Sequence, residues 1–211
     1  MLDAAEALLR EGGPDALSMR TLAQRADVGH VTPYHLFDSK HGVVLALMAR
    51  VISDDLVSIM RAPPTDDPVR DVLDRQEAVL ALLARDEEFS RAALLALDDS
   101  TPSGERARWL EFVSARSAED LERLIAAGVL RTDTPIDLAA RLLLLGQDGA
   151  VRRWFRGLSS FEQMRVDYLA VTVSTLLAVA TDKGRWRLWD ELTNLPQPDP
   201  EGPTLVDKET P

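Results

Sequence analysis

Cysteine is missing altogether, which removes disulfide frameworks, thiolate metal sites and cysteine nucleophiles from consideration. Aromatic residues are scarce, at 5% of the chain, while Leu, Ala, Arg and Glu abound, a balance that favours helix over strand. No long hydrophobic run is present either. The longest mostly apolar stretch, Tyr168 to Ala180, falls short of the roughly 20 residues that span a bilayer and includes Thr172, Ser174 and Thr175. The first nine residues hold Asp3 and Glu6 among their leucines, unlike the basic-then-apolar order of a secretion signal, so a cytoplasmic protein without membrane contact is expected.

Positive charge is in short supply. The formal net charge is −11, but it is unevenly spread: residues 1–50 hold five Lys/Arg (Arg10, Arg20, Arg25, Lys40, Arg50) against six Asp/Glu, and all three histidines, His30, His35 and His41, lie there too. Phosphate contacts draw on Lys and Arg, so the total argues against nucleic acid, but the acid belongs to the rest of the chain and this segment is close to neutral, though not basic.

That segment reads as short helices set apart by punctuation. Leu2, Ala5, Leu8 and Leu9 form a helical stripe that stops at Gly12-Gly13-Pro14, a C-terminal signal followed by a breaker. Ser18 suits the N-cap of a second helix, with Met19, Leu22, Ala23 and Ala26 on one face and Arg20, Gln24 and Arg25 on the other. Asp27-Val28-Gly29 supplies a tight turn, a third helix is expected over 30–37, and Asp38-Ser39 caps a fourth running through Val43, Val44 and Leu47 toward Met60. Beyond the Pro- and Asp-rich break at 62–68, helical patterns recur over 69–85, 87–97, 105–127, 136–155 and 161–181, and no window alternates long enough for a strand. The class is all-α, with about nine helices. From residue 182 the composition changes, with Pro196, Pro198, Pro200, Pro203 and Pro211 in a polar, acidic setting. One turn or two of helix is expected over 185–192, docked by Trp186 and Trp189, with a mobile tail after it.

Two short helices joined by a Gly-containing turn make a helix-turn-helix, and Leu22 to Phe37 has that form. Ala23 fits a close helix crossing, Val28 would plug the turn, and Gly29 would permit the sharp reversal or cap the second helix. Around this core, Leu2-Asp-Ala-Ala, the Gly break, Ser18-Met-Arg-Thr-Leu-Ala and Tyr34-His-Leu-Phe-Asp-Ser-Lys40 follow in order. In these residues the chain resembles the TetR/AcrR family of transcriptional regulators, with high specificity over the first 47 residues. Gly128-Val-Leu-Arg-Thr-Asp and Leu138-Ala-Ala-Arg-Leu carry the likeness more loosely to about residue 181.

The resemblance implies a three-helix DNA-binding domain over 1–47, a larger ligand-binding and dimerisation domain over 48–181, and a Pro-rich acidic tail over 182–211. It implies phosphate contacts from Ser18 and Arg20 at the start of helix two, from Lys40 at the start of helix four and from the Tyr34 hydroxyl. His30, Val31, Thr32 and His35 of the recognition helix would face base edges or sugars in the major groove. The chain departs from the family pattern at Gly29, where a Ser cap is usual, and at Pro33, where a Leu is usual; Pro33 removes a backbone donor, so the recognition helix either starts late or is 3₁₀-like. That helix holds no Arg or Lys for bidentate guanine reading, and no basic arm precedes helix one. His41 stands where the family often has Glu; an imidazolium there would oppose the helix dipole but attract phosphate, strengthening binding below about pH 6.5.

The larger domain suits pairing between copies. The 136–155 helix is apolar nearly all round, with Leu142 to Leu145 consecutive, which demands burial on two sides; together with the helix over 159–181 it would form the interface of a C₂ homodimer. The resemblance also implies a pocket for a small-molecule effector, with Met60, Phe89, Trp109, Phe112, Arg116 and Gln147 as candidate lining. The expected function is a ligand-responsive repressor on a palindromic operator in double-stranded DNA, without cofactor or metal.

Two other classes compete with this reading. A di-metal carboxylate enzyme needs Glu-x-x-His pairs, and no Glu precedes any histidine at that spacing; neither a phosphate-binding glycine loop nor a nucleophile elbow is present, so no catalytic residue is assigned. The alternative keeps the fold and loses the DNA: a dimeric ligand-binding or protein-interaction module with a vestigial helix-turn-helix.

Overall fold

The computed structural model describes residues 1–98 and 104–196, with side chains at 51–54 and 104–112 outside the described residues. Among the described residues ten α-helices follow in order: α1 (Leu2–Ala16), α2 (Met19–Arg25), α3 (Thr32–Phe37), α4 (Lys40–Met60), α5 (Pro68–Ala84), α6 (Glu87–Asp98), α7 (Gly104–Ala126), α8 (Ile136–Phe155), α9 (Phe161–Ala178) and α10 (Asp182–Thr193). Among the described residues the only extended pairing is one isolated antiparallel bridge, Leu130 with Ala180. The all-α expectation is met, and no helix is long and apolar enough to cross a membrane among the described residues.

The chain divides into two compact units: residues 1–61 with 81–106, and 62–80 with the chain from 107 onward. The first is built on α1, α2, α4 and α6. Its core is Ala5, Leu8 and Leu9 of α1, Met19 and Leu22 of α2, Val43, Val44 and Leu47 of α4, and Phe89, Ala93 and Ala96 of α6. The stripes read from the sequence are therefore the inward faces. The stripe of α1 ends as the Gly-Gly-Pro signal requires. Gly12 and Gly13 leave helical geometry inside the span, and Gly13 takes φ 63° and ψ −161°, a conformation closed to side chains.

The second unit gathers Val69, Val72 and Leu73 of α5, Leu121 and Leu124 of α7, Ala139, Ala140 and Leu143 of α8, Val173 and Leu176 of α9, and Leu188 of α10. α8 and α9 lie close enough that a Cβ on Gly146 would stand 2.3 Å from the Val171 side chain. Across the same pair, Gln147 Nε2 donates to Thr172 Oγ1 at 2.9 Å, and that hydroxyl donates on to the Tyr168 carbonyl at 3.0 Å. Trp154 and Phe161 meet edge to face, with ring centroids 5.4 Å apart.

α10 corrects the expectation for the start of the tail. It makes three turns, and it is docked by Gly184 and Leu188, while Trp186 is 81% exposed and Trp189 also faces outward. The spacing explains this: Gly184 and Leu188, four apart, share the inward face, and the tryptophans fall on the opposite one. Thr181 caps the helix by accepting from Gly184 N at 3.0 Å while donating to Gly128 O at 2.7 Å, and a Cβ on Gly184 would stand 2.0 Å from Val129 O. The prolines from Pro198 onward, and the expected mobile tail, lie outside the described residues.

Asp71 ties α5 to α7. Its carboxylate accepts from Thr65 N at 2.9 Å and from Arg123 Nη2 at 2.7 Å. Burial pushes Asp71 upward, but these bonds outweigh it and hold the carboxyl below the usual range. A depressed acid stabilises the fold above its unfolded pKa and loses that contribution as the pH falls through its folded one. Asp71→Asn is therefore expected to cost about 1–3 kcal/mol at neutral pH. The deficit should close below about pH 4, as read from urea midpoints; an equal deficit at both pH values would show that the charge is not involved.

Candidate nucleic-acid interface

α2, the turn after it and α3 are set by local bonds. Ser18 caps α2: its hydroxyl accepts from Thr21 N at 3.1 Å while Ser18 N donates to Thr21 Oγ1 at 2.9 Å, a reciprocal box. The reversal after α2 falls on Asp27, with φ 51°, and not on Gly29, which the sequence reading had charged with it. Asp tolerates the left-handed region because its short side chain bonds locally. Val28 does not plug the turn either, being more than a third exposed. α3 starts at Thr32, two residues later than the pattern suggested, which puts Pro33 in its first turn, where the missing N–H has no intrahelical role. Pro33 is itself buried.

Beyond α3 the backbone turns through Asp38 at φ 63°, and Ser39 Oγ accepts from Gly42 N at 3.1 Å to cap α4. Gly42 is required there, since a Cβ would stand 2.0 Å from the Phe37 carbonyl oxygen. Lys40 Nζ donates to Pro14 O at 2.7 Å, joining the start of α4 to the Gly-Gly-Pro break.

The outer face presents most of the anticipated contact residues. Arg20, His30, Val31, Tyr34 and His35 are exposed, Ser18, Thr32 and Lys40 are half-buried, and Phe37 packs against the core. His41 does not join them. At 4% exposure it is buried in the first turn of α4, so the imidazolium–phosphate attraction expected there is corrected: the side chain faces inward.

Positive charge in this segment is largely spent within the chain. Arg10 pairs with Glu6 and Asp86, Arg25 with Glu11, and Arg50 with Asp3 and Glu6, while Lys40 holds Pro14 O. Among the described residues of this segment, Arg20 is the one Lys or Arg without such a bond. Lys40 keeps two further N–H donors, and the arginine pairs are solvent-accessible and hence weak.

The four effector-pocket candidates with described side chains are divided between the two units. Met60 and Phe89 belong to the first unit, where Phe89 is core beneath the Arg10 guanidinium; Arg116 and Gln147 belong to the second, where Gln147 is buried on Thr172. The side chains of Trp109 and Phe112 lie outside the described residues. None of the four described candidates lines either of two grooves on the first unit. One, of about 640 Å³, runs between residues 34–38 and Gly42, Leu45, Ala46 and Ala49 of α4; the other, of about 490 Å³, lies between α1 and α6. The first groove went unread in the sequence, because Leu36 there is exposed and an exposed leucine leaves no periodic signal.

α1 to α4 thus form a helix-turn-helix unit in an otherwise all-helical chain. Residues 1–47 match the family described as bacterial regulatory proteins, tetR family. The chain is 35% identical over 85 residues to the HTH-type transcriptional repressor KstR of Rhodococcus jostii, spanning 40% of this chain and 38% of that protein. In fold it is similar to SmeT, repressor of the Stenotrophomonas maltophilia multidrug efflux pump SmeDEF (TM-score 0.66, 24% identity, 86% of this chain and 89% of that one). It is likewise similar to NalD, secondary repressor of the MexAB-OprM efflux pump in Pseudomonas aeruginosa (TM-score 0.62, 21% identity, 86% and 94%). Over residues 1–47 the chain is thus similar to the tetR family of bacterial regulatory proteins, and its fold is that of the two repressors.

Two measurements test the interface. Gly42→Ala should destabilise the first unit by about 1–3 kcal/mol and abolish duplex binding, because the new methyl pries α4 from the end of α3; full binding would refute that contact. Arg20→Ala should lower the salt slope of duplex binding by about one per protomer, and an unaltered slope would remove Arg20 from the phosphate contacts.

Proposed function

We propose that the chain is a transcriptional repressor that binds a palindromic operator as a homodimer and releases it on binding a small-molecule effector. What carries the reading is the exposed polar face of the helix-turn-helix, with Arg20, His30, Tyr34 and His35 outward, in a chain whose first 47 residues match this family. Base edges would be read by hydroxyl and imidazole groups, and register set by Ser18, Arg20, Tyr34 and Lys40 on phosphates. Since so few cations are free, affinity depends less on salt than for a basic domain, with a slope of about −2 per protomer from Arg20 and Lys40.

Pairing of copies is supported by α8. Leu143 and Gln147 face the core, whereas Leu138, Leu142 and Leu145 form an exposed stripe at spacings of four and three, with Leu142 49% and Leu145 63% exposed. Gly149 continues that stripe, and a Cβ there would meet nothing within 4 Å. An apolar seam ending in a small residue suits close approach of a second α8. In such a dimer the effector would favour a conformer whose recognition helices no longer match successive major grooves roughly 34 Å apart. SmeT, of the same fold, has been seen in complex with triclosan.

A second reading, a protein-interaction module with lost DNA binding, is favoured by the apolar exposure of Val28, Val31 and Leu36 around α3 and by the groove beside it. Selection of bound duplexes from random DNA separates the two: a palindrome with half-sites one helical turn apart is expected, and no enrichment at about 50 mM salt with an intact dimer would favour the second reading. Leu142→Asp is expected to weaken the dimer by roughly 100-fold or more while leaving the monomer folded, because each copy buries the side chain. Light scattering that still reports a dimer would place the interface elsewhere.

A further inference from the structure

We propose that the second unit receives an oxyanion, the carboxylate or phosphate head of its effector, between α5 and α7 at Arg75, Arg116 and Arg123. Arg116, Asp120 and Arg123 are four and three apart on one face of α7, and Asp71 and Arg75 are four apart on α5. Three guanidiniums thus meet two buried carboxylates; the remaining acid, Glu119, reaches only Arg116 and is 62% exposed. Away from the surface the guanidiniums outnumber the carboxylates, with Arg75 buried and Arg116 and Arg123 partly so.

Arg123 holds Asp71 at 2.7 Å and Arg116 holds Glu119 at 2.8 Å, but the pairing at Asp120 is loose. Arg75 Nη1 lies 3.3 Å from both oxygens of Asp120, and Arg116 Nη2 lies 3.5 Å from one of them. Each arginine also keeps a buried nitrogen without a hydrogen-bond partner: Arg75 Nε, Arg116 Nε and Arg123 Nη1. Arg75 is itself more than nine-tenths buried. Buried charged donors left unmade are costly, and an oxyanion supplies both the acceptor lone pairs and the negative charge that are missing. A neutral or cationic molecule supplies no such charge. The cluster's own acid answers part of the need at a cost, since burial pushes Asp120 above the usual carboxylate range even with three arginines around it.

The inference rests on the ligand-responsive reading, so occupancy is measured on the full chain without DNA, and operator release separately. The protein is titrated at constant ionic strength with acetate, inorganic phosphate and, as uncharged isostere, acetamide, following the melting midpoint. Acetate or phosphate near saturation should raise the midpoint by about 2–4 °C, and acetamide should not; whichever anion acts alone identifies the head group. Asp120→Asn, which removes the internal competitor, should tighten the anion by about tenfold, and Arg116→Gln should remove the response. Equal behaviour of acetate, phosphate and acetamide in both the wild type and Asp120→Asn would overturn the proposal, as would a response that survives Arg116→Gln; the cluster would then be an ion network satisfied by water. Anion binding that persists while no anion releases operator would keep the site and refute the ligand-responsive reading instead.

Discussion

The first turn of α4 is where the helix-turn-helix is held together. Gly42 lets the Phe37 carbonyl sit against the helix, Ser39 caps it, and Lys40 reaches back to the Pro14 carbonyl beyond the Gly12–Gly13 break. One turn later Val43, Val44 and Leu47 enter the core that also takes Leu22 of α2 and Leu8 of α1. The position of α3 depends on those contacts, because a six-residue helix with a proline in its first turn has too few internal bonds to hold itself.

Charge is treated in opposite ways in the two units. In the first, arginines sit at the surface in solvated pairs with Glu6, Glu11 and Asp86, which water screens and a phosphate can displace. In the second, Arg75 and Asp120 are buried, where desolvation rivals their attraction and lowers the tendency of each to carry charge. The same residue types therefore provide a weak reserve of cations in one place and an unsatisfied cluster in the other.

Much of this was legible in the residues. Helical periodicity, the Gly-Gly-Pro stop and the Ser18 and Ser39 caps are local features, and they fall where the pattern put them. The turn was less legible. Asp27, not Gly29, takes the positive φ, and α3 begins late, because the chain path there is settled by packing of Pro33 and Phe37. Trp186 and Trp189 read as anchors because large aromatics bury well, yet Gly184 and Leu188 occupy the docked face of α10 and leave the tryptophans outside.

By itself the sequence determined the all-helical class, the helix-turn-helix and the family likeness, since each rests on spacing within a few tens of residues. Only the tertiary structure decided which charges are free. Arg25 and Glu11 are 14 residues apart, Lys40 and Pro14 are 26 apart, and Arg75 and Asp120 are 45 apart. Pairings at such separations leave no periodic trace, because they are made by the packing of helices and not by the repeat within any one of them.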